Sequence, residues 1–148
     1  MTMRIVIDTR EQNPWSFSGL PVETSRGTLA AGDYALGLED GSTDAGFAIE
    51  RKSLDDFAGT VASGWSRFQR ELGRMEGAGF QARVVIVEGT LTDILEHKYS
   101  HPQVEPHFLL ARIAELTFQG VSVLLASNRV AAAGLAWKLI VKRRMALT

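Results

Sequence analysis

Asp33, Glu50 and Lys52 are the residues of this chain whose types and spacing best suit chemistry. Glu50 and Lys52 are two apart on a predicted strand, so they share a face. Asp33 falls on the other arm of a hairpin read over residues 33–38 and 47–52, with the turn-rich stretch 37–46 between. Two carboxylates and a lysine therefore converge at one sheet edge. Adjacent carboxylates repel each other unless a cation lies near, so the pair suits a metal ion better than packing. Hard Mg²⁺ takes carboxylate oxygens and keeps several waters. It activates water and stabilises charge on phosphoryl oxygens. The lysine orients or deprotonates the attacking water, or neutralises the developing charge. Such a set suits phosphodiester hydrolysis. The spacing alone better fits a solvated hairpin with an ordinary ion pair. Two additions tip the balance. Asp8, Arg10 and Glu11 end the first strand with three more charges, Asp8 and Arg10 on one face. Glu50-Arg51-Lys52 then places three consecutive charges in a half-buried strand, and an unpaired buried charge is very costly.

The elements that must hold these residues follow from the pattern. Ile5-Val6-Ile7 is a β-branched run ending at Asp8, a short buried strand. Val22–Thr24 reads as a second. Ser53 is an N-cap, with Asp55 and Asp56 in the first turn, where the helix dipole favours carboxylates. Helical pattern continues to about Gly77, with a break at Ser63-Gly64. Val84–Val87 lacks alternation, the mark of a strand covered on both sides. Thr90 or Thr92 caps a short helix through Leu95, and residues 99–106 form a loop. A helix from Pro106 to Phe118, a strand over 121–125 and a helix from Arg129 to Met145 complete the chain. Strands alternating with helices after a hairpin predict an α/β fold, a mixed sheet flanked by helices.

Composition narrows the class. A length of 148 residues predicts one domain, and 45% hydrophobic with 22% charged residues is the ordinary globular balance. With no cysteine, disulfide scaffolds, thiolate zinc sites and cysteine nucleophiles are excluded. His97, His101 and His107 stand in no HExxH frame and read as loop or surface residues. No apolar run spans a membrane, and no secretory signal is read at the start, so an intracellular, cytoplasmic location is expected. The net charge of -1 hides an asymmetry. Residues 1–50 hold three arginines against eight carboxylates, and residues 51–148 hold 13 basic against nine acidic groups. A carboxylate-rich half joined to a basic half suits an enzyme using metal ions on an anionic substrate.

Ile7-Asp8-Thr9-Arg10-Glu11, Gly32-Asp33-Tyr34 and Glu50-Arg51-Lys52-Ser53, with Asp56 following, resemble the nuclease domain of the XPF family of structure-specific endonucleases. That family's signature is Gly-Asp, then Glu-Arg-Lys, then Asp after three residues. The resemblance spans almost the whole chain. It implies a restriction-endonuclease-like (PD-(D/E)xK) core and Mg²⁺- or Mn²⁺-dependent cutting of branched DNA, for repair, recombination or replication. It implies metal binding at Asp33 and Glu50, with Asp8 as a further ligand, and catalytic help from Lys52. Arg10, Glu11, Arg51 and Asp56 match the remaining active-site positions. Gly64 with Gln69 resembles a family helix motif, but Trp65 stands where a basic residue is usual, and Arg67 is its nearest substitute. Family members usually append a helix-hairpin-helix module; the 148 residues resemble the catalytic domain alone, as in compact bacterial or viral versions, which places it at the nucleoid or in a host cytoplasm. Two rival readings are a non-cutting DNA-binding partner subunit, which would have lost the signature, and a restriction- or defence-type duplex nuclease.

Arg67, Arg70 and Arg74 form a basic stripe on one helix face, open to two readings: phosphate contact or a solvated face. Trp15 and Trp65 read as packing residues rather than base-stacking platforms. Lys142-Arg143-Arg144 reads as favourable charge at a helix C-terminus. The last helix carries two apolar strips: Val130, Ala133, Trp137, Ile140 and Val141 on one, Ala132, Leu135, Ala136 and Leu139 roughly opposite. A helix apolar on both sides is buried on both sides. A homodimer through this helix is expected, unless the helix over 106–118 covers the second strip. The resemblance points the same way, since XPF nuclease domains pair through C-terminal helices.

Overall fold

The computed structural model describes residues 2–148. Its elements in chain order are β1 (Met3–Asp8), β2 (Val22–Gly27), β3 (Tyr34–Gly37), β4 (Phe47–Ser53), α1 (Leu54–Val61), α2 (Trp65–Gly77), β5 (Ala82–Glu88), α3 (Leu91–Leu95), α4 (Pro106–Phe118), β6 (Val121–Ala126) and α5 (Arg129–Ala146). One six-stranded mixed sheet runs β2-β1-β3-β4-β5-β6. β3 is antiparallel to both its neighbours, while the outer pairs β1–β2, β4–β5 and β5–β6 are parallel. β4 and β5 thus pair in parallel through the crossover α1–α2, whose apolar face covers the sheet. Among the described residues no helix is long and apolar enough to cross a membrane.

The sheet separates two cores. On one face Ile5, Ile7, Tyr34, Ile49 and Ile86 pack under α5 with Trp15 and Phe17 from the loop after β1. On the other, Val85 and Val87 pack under Phe57, Val61, Phe68 and Leu72 of α1 and α2 and Leu109 and Leu116 of α4. Both faces of the central strands are covered, which is why β5 reads as an unbroken apolar run. Ser53 and Thr90 cap their helices as expected, and Asn128 is a cap that the sequence reading did not name. Ser53 Oγ accepts from the Asp56 amide, Thr90 and Asp93 form a reciprocal capping box, and Asn128 accepts from the Ala131 amide.

Four expectations change. The hairpin arm begins at Tyr34, and Asp33 sits in the bend before it. Gly32 makes that bend at φ +76°; a Cβ there would lie 2.8 Å from Ala48 Cβ and 3.1 Å from Ile49 O. The two strips of α5 do not face opposite ways. Ala132, Ala133, Ala136 and Ile140 are buried against the sheet, Leu135, Trp137, Leu139 and Val141 flank them against the same core, and Val130 is 84% exposed. Short alanines let α5 approach the sheet closely enough for both flanks to reach it. Nor does α4 cover α5, since it packs on β6, α1 and α3 across the sheet. Finally, Arg143 is a clamp rather than a loose terminal charge. Its guanidinium grips Asp44 at 2.6 and 3.1 Å, tying α5 to the β3–β4 connection.

Candidate active site

Strand alternation and register decide which charges meet. Tyr34 and Ile49 are paired across β3 and β4, both pointing into the α5 core. Their neighbours Asp33 and Glu50 therefore point to the opposite face. On β5, Val85 and Val87 face α1 and α2; Glu50 pairs with Val85 and Lys52 with Val87, so they share that face. Arg51 pairs with Ile86 and faces the other way. The β1–β3 register, Ile7 against Tyr34, continues through the bond from the Asp8 amide to Asp33 O at 2.9 Å. Asp8 at the end of β1, Asp33 in the bend before β3 and Glu50 on β4 thus stand in a row.

The members of the row differ in what holds them. Asp8, only 2% exposed, has no free oxygen. Its Oδ1 accepts from the Leu29 amide and Arg10 Nη2, and its Oδ2 from Arg10 Nε and the Arg10 amide. Burial alone would raise its pKa, but Arg10 and these amides outweigh burial and hold it below the usual carboxylate value. Asp33 accepts one bond, from the Arg51 amide to Oδ2 at 2.7 Å. Burial, with a smaller contribution from Glu11, raises its pKa. Glu50 is pushed up to about 7, by burial first and by Asp33 second. Its nearest cation is Lys52, whose Nζ lies 3.8 Å from Oε1. Asp33 and Glu50 are thus two partly desolvated carboxylates with little positive charge to support them. Hard oxygen donors short of positive charge fit a divalent cation. Among the described residues no third His, Cys, Asp or Glu completes a closed metal cage.

Glu50 and Lys52 open into a cavity of about 610 Å³ between β4, α1 and α2. Asp56, Arg67, Glu71 and His101 line the same cavity. The structure brings Asp56 to it through the Ser53 cap, which starts α1 directly after Lys52. It does not bring Gln69, whose Nε2 donates to Gln119 at the end of α4. Arg70 and Arg74 are exposed on α2 away from the cavity lining.

Arg51 and Glu11 form a separate set on the far face. Arg51 Nε donates to Glu88 Oε1 at 2.9 Å, and its Nη1 reaches Glu11 at 3.3 Å and Asn13 O at 3.2 Å. Trp15 Nε1 and Arg129 approach the other Glu88 oxygen. This network holds the loop after β1 against β4 and fixes the Arg51 backbone whose amide binds Asp33. The sequence reading missed Glu88, although a carboxylate ending the apolar run of β5 is the same signal that drew attention to Asp8. It read His101 as a loop or surface residue; the structure keeps it in a loop but places it at the cavity lining, which no spacing signal in residues 99–106 marks.

Two solved structures share this fold. XPF from Aeropyrum pernix matches with a TM-score of 0.71 at 23% identity, over 93% of this chain and 59% of that one. The structure of XPF from Aeropyrum pernix in complex with DNA matches at 0.70 and 20% identity, over 97% and 66%. The chain therefore spans about two thirds or less of those proteins. No curated protein matches it significantly in sequence. The shared architecture is the restriction-endonuclease-like fold of the XPF nuclease domain. The family model described as the ERCC4 domain matches residues 7–136, spanning every charged residue of the row, the cavity and the far-face network, and the chain belongs to that family.

Proposed function

We propose that this chain is a divalent-metal-dependent endonuclease domain that hydrolyses phosphodiester bonds in branched DNA. The carrying observation is the desolvated carboxylate pair Asp33–Glu50 beside Lys52, with Glu50 and Lys52 opening into the cavity, in a chain of the ERCC4 domain family. Asp33 and Glu50 would hold Mg²⁺ or Mn²⁺, which when bound polarises phosphoryl oxygens and makes a coordinated water more acidic. Lys52 holds its ammonium 3.8 Å from Glu50, where it orients the attacking water and offsets charge building on the phosphate. Asp8 stays ionised by its bonds to Arg10 and Leu29, and sets the position of Asp33 through the β1–β3 ladder. Arg51 and Glu11 act from the far face, through the Arg51 amide. Arg67 at the cavity, with Arg70 and Arg74 further along α2, serves the DNA backbone.

The site is one half of a proposed homodimer joined through α5, located in the cytoplasm at the nucleoid. Among the described residues α5 is the only helix packed on its face of the sheet. Beside it lies a hollow of about 700 Å³ lined by apolar residues that include Pro21, Val22, Trp137, Val141 and Met145, together with Arg144 and two threonines. The Trp137 indole N–H is buried without a hydrogen-bond partner. A two-fold pairing would cover this hollow.

The test is a cleavage panel with Mg²⁺ or Mn²⁺ on duplex, flap, fork, nicked, four-way and single-stranded DNA. Cutting of flaps or forks, abolished by Asp33→Asn or Glu50→Gln and by chelator, is expected. Cutting of duplex alone favours a restriction-type nuclease, and no cutting with intact DNA binding favours a non-catalytic subunit.

A further inference from the structure

We propose that His101 is a substrate-contacting residue of this site, its imidazole N–H donating a hydrogen bond to a phosphate oxygen of the DNA strand in the cavity. The inference deepens the endonuclease reading and rests on it. The loop between α3 and α4 is built to hold this ring. His97 has φ +58°, the only positive φ at a non-glycine among the described residues. Such backbone persists only where its surroundings over-determine it, and it concentrates at functional sites. Here the surroundings are explicit. The His97 ring stacks on Tyr99 at 4.3 Å, and its Nε2 lies 3.0 Å from the carbonyl oxygen of His101. The Tyr99 hydroxyl donates to Val104 O at 2.6 Å, and the Ser100 amide donates to Asp55 Oδ1 at 2.8 Å, which ties the loop to the first turn of α1.

Each of these bonds fixes the backbone on which His101 stands, and none uses its side chain. Among the described residues the His101 imidazole has no hydrogen-bond partner. The ring lies against Gly59 of α1. A Cβ at residue 59 would sit 3.3 Å from His101 Cε1 and 3.4 Å from Nε2. A glycine inside a helix weakens it relative to alanine. The close approach of the imidazole gives that glycine a reason. A braced polar ring, unused by the protein, thus borders the cavity that contains Glu50 and Lys52. Lys52 and Arg67 line this cavity beside Glu50, Asp55, Asp56 and Glu71, so a phosphate would enter it together with the divalent cation that the carboxylates would hold, and the proposed reaction supplies a phosphodiester.

The test compares wild type, His101→Ala, His101→Gln and Gly59→Ala. A labelled fork DNA is titrated by fluorescence anisotropy with Ca²⁺ replacing Mg²⁺, and single-turnover cleavage follows with Mg²⁺. His101→Ala should weaken DNA binding by about tenfold, the loss expected for one hydrogen bond to a charged group. Cleavage should fall by at least as much. Mg²⁺ affinity measured by calorimetry without DNA, and the melting temperature, should not change. His101→Gln keeps an N–H donor and should recover part of the loss. Gly59→Ala should weaken binding in the wild type and add nothing in His101→Ala, because it acts by displacing the ring. Wild-type DNA binding and cleavage in His101→Ala overturn the inference while leaving the endonuclease reading intact. Loss of Mg²⁺ affinity in His101→Ala also overturns it, by making the ring a metal ligand. A wild-type protein that neither binds nor cuts any DNA overturns both.

Discussion

Glu50→Gln should stabilise the metal-free protein while abolishing cleavage. Its carboxyl is raised from the ordinary 4.5 to about 7, by burial and by Asp33. A raised acid is favourable in its neutral form and unfavourable once ionised. Stability is therefore full below pH 4.5 and is lost as pH rises through about 7. The roughly 2.5 pH units between these values set a ceiling of about 3 kcal/mol, at ~1.4 kcal/mol per unit. Glu50 keeps 36% of its side chain exposed, so solvent screens a large part of this. A gain of about 1–2 kcal/mol at pH 8 is the expected size after that discount. For a chain of this length it raises the melting temperature by roughly 2–8 °C. Glutamine keeps the shape and removes the charge. Thermal unfolding of both proteins in chelator at pH 8 and pH 5 measures the effect. The variant should melt higher at pH 8, and the gap should nearly close at pH 5, where the wild-type carboxyl is protonated. Mg²⁺ at pH 8 should raise the wild type alone. A variant less stable than wild type at pH 8, or a gap independent of pH, would refute the reasoning that burial and Asp33 strain this group.

Lys52→Ala should reduce the cleavage rate by about 10²–10⁴, as loss of a group that positions or deprotonates water does, with Mg²⁺ affinity by calorimetry retained; loss of both would make Lys52 a support for the fold. Replacing Arg67 and Arg70 together by alanine should weaken DNA binding and lower the slope of log K against log salt by about two, one per phosphate contact, and an unchanged slope would place both arginines in bulk solvent. Asp44→Asn should cost about 2–4 kcal/mol at pH 7 in denaturant unfolding, because Arg143 is left half-buried and unpaired. Burial opposes ionisation of Asp44, but Arg143 and the Gly46 amide outweigh it and hold its pKa below 3.8, so this stability is present above that pH and lost as pH falls through the lowered value; a difference that persists unchanged in acid would contradict the pairing. Light scattering at micromolar concentration should give twice the 16.2 kDa chain mass, falling to one chain in Val130→Glu with Met145→Glu, two exposed positions of α5; a monomeric wild type ends the dimer proposal.

The sequence by itself determined the local structure of this protein to a large degree. Most strands and helices, from the β-branched Ile5–Ile7 run to the Ser53-capped α1, lie close to where alternation, caps and breakers put them, because those signals act within a few residues, although β2 runs on to Gly27 and β3 begins one residue later at Tyr34. The pairing of Glu50 with Lys52 was legible for the same reason, since period-two alternation makes them share a face. Tertiary structure decided the rest. Asp8 could be recognised as a buried charge, but that its oxygens are occupied depends on Leu29, 21 residues away, and on the turn that folds Arg10 back. Arg51 sits between Glu50 and Lys52 yet serves the opposite core, because its partners Glu88 and Glu11 are brought by other strands and loops. The two strips of α5 looked opposed on a helical wheel, but a wheel carries no information about how deeply small alanines let a helix settle on a sheet. His101 is the clearest case. Nothing in residues 99–106 marks it, and only the packing of that loop on Gly59 brings its ring to the cavity that contains Glu50 and Lys52.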